Sequence, residues 1–220
     1  MAASLAALAL TALPAAAQGF GVKVFEAGTC KTNTPECLYS SPTTQFFTQA
    51  AGHPPLGITT LEVDHKESLL NEEPEGALKR LRVDVPPGLA ADPEALPQCS
   101  EEDFANDKCP GDTQVGTTEV TAWVAAARTT VSGEVYNLAP SSSRHVPLLF
   151  GIHVEVPLVA NEHMYLVGHV DWEGDYHEYF EIDNISKSLP ILKSKLLFNG
   201  QAGNGNFLTL PSVCSSTTTS

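Results

Sequence analysis

The chain has 220 residues, with 12 basic and 26 acidic side chains and a formal net charge of −14. A carboxylate surplus of this size repels phosphates, so nucleic acid and anionic lipid are not expected partners. The charges are dispersed rather than gathered in runs, which argues against a disordered acidic tail.

The opening MAASLAALALTALPAAAQG is uncharged and ends its apolar part in Ala15-Ala16-Ala17. Small residues in that pattern suit signal peptidase, so 1–17 reads as a secretory signal peptide cut near Gln18. The run is too short and too poor in bulky residues to span a bilayer, and Pro14 interrupts it. A buried Ala-rich helix is the competing reading. No Lys or Arg precedes the apolar core, so the basic start of a longer signal is expected upstream of Met1. Cleavage leaves 203 residues (220 − 17), enough for one large all-β domain. With no linker visible, 18–214 reads as a single domain.

Strand signals dominate the rest of the chain. GVKVFEAG, GITTLEVDHK and LKRLRVDV open the series. In the third, Leu81, Val83 and Val85 alternate with Arg82 and Asp84 until Pro86-Pro87-Gly88 stops the strand. A long loop, GLAADPEALPQCSEEDFANDKCPGDTQVG, comes next. TTEVTAWVAAA, TTVSGEVYNL, VPLLFGIHVEV, HMYLVGHVDW, DYHEYFEID, LPILKSKLLFNG and NFLTL complete about ten strands. Short strands without βα alternation predict an antiparallel β-sandwich or jelly roll. The Gly-rich GQAGNGNF at 200–207 opens no helix and reads as a hairpin or bulged turn.

Five cysteines stand at 30, 37, 99, 109 and 214. In an exported chain the close pairs Cys30/Cys37 and Cys99/Cys109 read as disulfides. Zinc is the rival, but the spacing exceeds C-x2–4-C and no histidine follows at ligand spacing. A Cys99–Cys109 bridge would staple the long loop, in which Ser100 and Asp103 make a weak capping box for one helical turn. Asp103, Asn106, Asp107 and Asp112 in that loop could together hold Ca²⁺, against a default of solvated carboxylates. Cys214 is left over, and the Ser/Thr-rich 215–220 behind it reads as the cut start of further sequence, with a frayed tail as the alternative.

The strings LKRLRVDVPPGLAADPEALPQCSEEDFANDKCPGDTQVGTTEVT, VSGEVYNLAP, GDYHEYFEIDNISKSLPILKSKLLFNGQAG and FLTLPSVC resemble a family of large, uncharacterised exported bacterial proteins. The resemblance runs from about Gly21 to Cys214, and P-P-G-L…P-x-C…C-P…Q-V-G-T is its most specific part. It implies a β-rich surface or secreted protein of several domains, longer than this chain. It implies no reaction and no catalytic residues.

Motifs for chemistry are scarce. G-x-S-x-G, H-E-x-x-H, Walker and G-x-G-x-x-G sequences are lacking, so no catalytic residue is assigned and no enzyme is expected. Asn184-Ile185-Ser186 is a sequon with meaning only in a eukaryote. His53, beside Pro54-Pro55, reads as structural.

The richest stretch is GDYHEYFEID at 174–183, which forms a natural hairpin with HMYLVGHVDW. Loop parity decides its faces. An even loop mixes apolar and charged residues on both sides, which a sandwich resists. An odd loop sets Trp172 opposite Tyr176, Gly168 opposite Phe180 and Leu166 opposite Ile182, an apolar side broken only by Glu178. The other side then pairs Asp171 with His177, His169 with Tyr179 and Val167 with Glu181. We therefore expect a polar cluster of His169, Asp171, His177, Tyr179 and Glu181, with Tyr176 and Phe180 on the core side.

The simplest reading of that cluster is a solvated outer face with an Asp171–His177 cross-strand pair. It could also bind Zn²⁺ or another transition metal, or a glycan stacked on Tyr165 and Tyr179 and held by Asp171 and Glu181. A hydrolase is the least favoured reading. The expected function is a non-catalytic secreted or surface-displayed module with a structural or adhesive role. A carbohydrate- or metal-binding module is the alternative. Nothing in the residues signals an oligomeric state.

Overall fold

The computed structural model describes residues 20–35, 37–38, 43–67, 72–157, 160–187, 189–202 and 205–213. The expected signal peptide, Cys214 and the 215–220 tail lie outside them.

Nine strands make one continuous antiparallel path. They are β1 Val22–Cys30, β2 Leu56–Val63, β3 Leu81–Asp84, β4 Gln114–Val124, β5 Ala127–Ala139, β6 Leu148–Val156, β7 Ala160–Val170, β8 Glu178–Ile182 and β9 Ile191–Asn199. Their order across the sheet is β1-β2-β9-β4-β5-β6-β7-β8-β3. A tenth strand, Cys99–Ser100, runs parallel to the end of β5 beside Leu138 and Ala139. Each segment read as a strand in the sequence contains one. The last shrinks to Leu208–Thr209, which pairs with Ala90–Ala91. Gln201–Ala202 pairs with Gly205–Asn206 as a small hairpin, as the Gly-rich run predicts.

Period-two patterning explains the path. In β4, Thr118, Val120, Ala122 and Val124 are buried while Thr117 and Glu119 face solvent. In β5, Gly133, Val135 and Asn137 turn inward between exposed Ser132 and Glu134. Such alternation fixes one face of each strand on a core.

The two layers of the expected sandwich are one sheet curled on itself. Leu61 of β2, Val120 of β4, Ile152 of β6, Ile182 of β8 and Leu81 of β3 line a single apolar cavity of about 30 Å³. Strands far apart in the path therefore face each other across the core. Phe150 is fully buried at its centre, with the rings of Phe198, Phe207 and Phe180 at 5.2, 5.8 and 6.2 Å.

Strand β6 is also covered from outside, and this creates a second, smaller core. Cys99, Phe104, Leu138 and Leu149 are buried together there. The cover is the long loop and its helix α1, Glu101–Ala105. Ser100 caps α1 as its capping pattern predicts, accepting from the Asp103 N–H at 3.0 Å and donating to Asp103 Oδ2 at 2.8 Å. A five-residue helix has no stability of its own. Three attachments hold it. The Cys99–Cys109 disulfide closes the loop, with Cα atoms 5.5 Å apart. Glu101 accepts from the Ser141 N–H at 2.8 Å and from Arg144 Nε at 3.2 Å. Phe104 lies on Gly151 of β6, where a Cβ atom would sit 2.5 Å from the Phe104 ring. The second expected disulfide, Cys30–Cys37, is also formed, with Cα atoms 5.1 Å apart. Each bridge contributes about 2–3 kcal/mol by restricting the unfolded chain.

Gly151→Ala therefore forces Phe104 off the sheet and destabilises the fold by about 1–3 kcal/mol. Denaturant unfolding of the single variants and of Gly151→Ala/Phe104→Ala measures this. The double variant should lose less than the sum of the two singles, because the clash vanishes with the ring. Strict additivity would show that the contact is unimportant.

Candidate functional site

The hairpin β7–β8 takes the odd-loop register. Val167 pairs with Glu181, Gly168 with Phe180 and His169 with Tyr179. Phe180 and Ile182 pack on the core side as expected. Trp172 and Tyr176 do not. They are 70% and 65% exposed. The reason is local: β8 begins only at Glu178, and Tyr176 takes a left-handed φ of 62° that turns the chain out of the pleat.

The five predicted side chains reach the outer face, but they do not converge on one point. Asp171 closes the turn instead, its Oδ1 accepting from the Gly174 N–H at 3.1 Å. The expected Asp171–His177 side-chain pair is replaced by other partners. His177 Nδ1 bonds to Asp175, and its Nε2 lies 2.9 Å from Asp84 Oδ1. His169 stacks on Tyr179, with ring centroids 5.0 Å apart and planes 18° apart. The Arg82 guanidinium lies 3.8 Å from the centroid of the same Tyr179 ring. Glu181 accepts from Arg80 Nη2 at 2.6 Å and lies 3.9 Å from His169 Nε2. Tyr165 is taken up as well, by the Phe104 ring at 5.4 Å and the Arg144 guanidinium at 5.1 Å. Sugar stacking on Tyr165 or Tyr179 would have to displace these neighbours.

Strand β3 supplies the partners that a hairpin-only reading misses. It pairs with β8, placing Asp84 opposite Tyr179 and Arg82 opposite Glu181. Arg82 holds Asp84 with three bonds, at 2.6, 3.0 and 3.2 Å. The Arg82 bond, then that of His177, lowers the Asp84 carboxyl below its ordinary value. Asp175 and then Asp84 raise His177 above the ordinary histidine value, because both ring nitrogens face carboxylates.

A second cluster escapes the sequence reading. His153 of β6 and His163 of β7 are directly opposed, with rings stacked 5.0 Å apart at 18°. Asp107, just past α1, points its Oδ1 at both, 2.7 Å from His163 Nε2 and 3.3 Å from His153 Nε2. Its other oxygen accepts from Asn161 Nδ2 at 3.2 Å. The His163 bond first, and then that of Asn161, lowers the Asp107 carboxyl. His153 Nε2 is buried and makes no hydrogen bond, the 3.3 Å approach being badly angled. One signal in the sequence would have found the pair: the two histidines stand equally far on either side of Leu158, between two strand segments.

The calcium set proposed for the stapled loop is dispersed. Asp103 serves the cap, Asn106 donates to Glu102 O at 2.6 Å, Asp107 turns to the histidines and Asp112 is exposed. His53 Nδ1 lies 3.1 Å from Leu208 O, a contact that ties its loop to the short Leu208–Thr209 strand.

Glu178 remains as the charged exception on the core side. Burial pushes its carboxyl up to about 7, although the Ala91 N–H lowers it somewhat, and Oε2 has no hydrogen-bond partner. No family model matches the chain, and neither a curated protein nor a solved structure matches it.

Two titrations test these environments. The His177 ring should titrate above its ordinary range in NMR, and Asp175→Asn should lower it more than Asp84→Asn. Unchanged values in both variants would show that neither carboxylate acts on the ring. Glu178 is raised in the folded state, so its contribution to stability is full below the unfolded value near 4.5 and is lost as pH rises through about 7. Glu178→Gln should therefore stabilise the fold at pH 8 by about 1–2 kcal/mol, allowing for solvent screening, and by almost nothing at pH 4. Thermal melts at the two pH values provide the measurement.

Proposed function

We propose that the chain is a non-catalytic module of an exported or surface-displayed protein, acting in adhesion through the tip of the β7–β8 hairpin. Two disulfides indicate an oxidising compartment. Among the described residues no helix is long and apolar enough to cross a membrane. Membership of the β-rich exported family suggested by the P-P-G-L…Q-V-G-T segment belongs to the same proposal.

One observation carries the adhesive reading. Trp172 and Tyr176 stand in solvent as an edge-to-face pair, 6.1 Å apart, on a turn that is held in shape. The Tyr176 N–H donates to Asp171 O at 3.2 Å, and the Asp171 N–H donates to His177 O at 2.9 Å. A bulky residue at positive φ costs about 1–2 kcal/mol, a strain that clusters at functional positions. Large aromatics flanked by Glu173 and Asp175 offer a stacking surface beside hydrogen-bond acceptors. That chemistry suits the hydroxyls and apolar faces of a glycan, and it favours carbohydrate binding as the form adhesion takes.

Soluble oligosaccharides titrated against tryptophan fluorescence, together with pull-down on insoluble polysaccharides, test the reading. Trp172→Ala/Tyr176→Ala should abolish retention and leave the unfolding free energy within about 0.5 kcal/mol of the parent, as expected of exposed positions. Retention unchanged in that variant would remove the tip from the adhesive surface. Turnover in a hydrolase screen would remove the non-catalytic half of the proposal.

A further inference from the structure

The Asp107–His153–His163 cluster lies at the other end of β7 from the aromatic tip. His163 and Val170 are seven residues apart, about 23 Å along a strand. We propose that these three side chains bind one divalent transition-metal ion of the Zn²⁺ class, which pins the stapled loop to the sheet.

The donor set is one carboxylate oxygen and two imidazole nitrogens. One ligand atom from each lies within 4.8 Å of the others. Imidazole suits zinc, copper and nickel, whereas calcium and magnesium take oxygen ligands. In a tetrahedral sphere with bonds of about 2.0–2.2 Å, neighbouring donors stand about 3.3–3.5 Å apart. The Asp107–His153 separation of 3.3 Å already has that value. The 2.7 Å Asp107–His163 contact reaches it by opening a few tenths of an ångström, when the ion replaces the shared proton.

Three features beyond proximity point to a ligand. The buried His153 Nε2 lacks a hydrogen bond and faces Asp107. A metal ion satisfies that lone pair and lets both histidines and the carboxylate share one centre. Glu134 Oε2 lies 3.6 Å from His153 Nδ1, on the far side of the ring. At that distance the carboxylate acts through its charge rather than a hydrogen bond, favouring the proton on Nδ1 and leaving Nε2 free to coordinate. Finally, Asp107 is held in place, with φ of 56°, Asn161 on its second oxygen and the Cys99–Cys109 bridge two residues on. His153 and His163 are fixed by direct strand pairing. With Asp107 43% exposed, the remaining coordination position opens to solvent. Water or an external carboxylate can fill it.

Calorimetry on the full metal-free chain, carrying no histidine tag, tests the assignment with Zn²⁺ as titrant. One equivalent should bind, and the His153 and His163 ring signals should shift or broaden before those of His169 and His177. Asp107→Asn keeps the backbone conformation, since Asn accepts positive φ. That variant and His163→Gln should each weaken binding by at least about tenfold. His177→Gln should leave it unchanged. No saturable binding at concentrations on the order of 1 mM Zn²⁺, equal affinity in Asp107→Asn, or first shifts at His177 would overturn the proposal. The NMR order is read on the parent chain, so it decides the matter even where a variant folds poorly. None of these outcomes bears on the aromatic tip.

Discussion

The outer face is organised by one contact, the Phe104 ring seated on Gly151. The ring fills the space in which a side chain at position 151 of β6 would stand. Because of this, β6 is buried on both faces from Leu148 to Ile152, and Leu149 gains a core of its own. A long loop is expensive to order, and a helix of one turn adds little by itself. Here the loop borrows its order from the sheet through an aromatic plug, with a covalent bridge at its base. Asp107 reaches the two histidines only because the plug sets the height of the loop above β6 and β7.

The two histidine clusters differ in how their charges are answered. At the β8–β3 edge, Arg80 and Arg82 answer Glu181 and Asp84, and His177 sits between two carboxylates. Exposed ion pairs of this sort add little stability, so their effect is chiefly one of orientation. They fix Tyr179 between His169 and Arg82. They also place charge on an edge strand, which discourages pairing with another sheet. At the loop end the Asp107 carboxylate is met by His163 and Asn161, and the His153 Nε2 is left without a hydrogen bond. Similar residues thus give a closed lattice in one place and an open donor set in the other.

Much of the scaffold was legible in the sequence. Alternation located the strands, and the parity of the β7–β8 loop gave the register, because only one parity sorted apolar from polar side chains. Cysteine spacing gave both disulfides, and Ser100 with Asp103 gave the cap. Legibility ended where distant segments meet. Nothing local says that Leu81–Asp84 lies beside Glu178–Ile182, so the arginines that saturate the predicted cluster stayed hidden. The Asp107–His163 contact spans 56 residues and depends on a loop docking over a sheet. Trp172 and Tyr176 went astray for a different reason. Period-two logic assumes a continuous pleat, and the left-handed Tyr176 breaks it before β8 begins.

The place of β9 in the sheet has a consequence for the order of events in the cell. It lies between β2 and β4, yet it is the last long strand among the described residues. In the finished sheet β2 borders only β1 and β9, so half of its backbone groups have no partner until Asn199 has been made. The interval from Val63 to Asn199 is 136 residues, about 7–27 s at ordinary rates of synthesis. Throughout that time the amino-terminal strands are an incomplete layer. A sheet built this way keeps an early strand waiting for a late one, and β2 gains its second neighbour only when synthesis has passed Asn199.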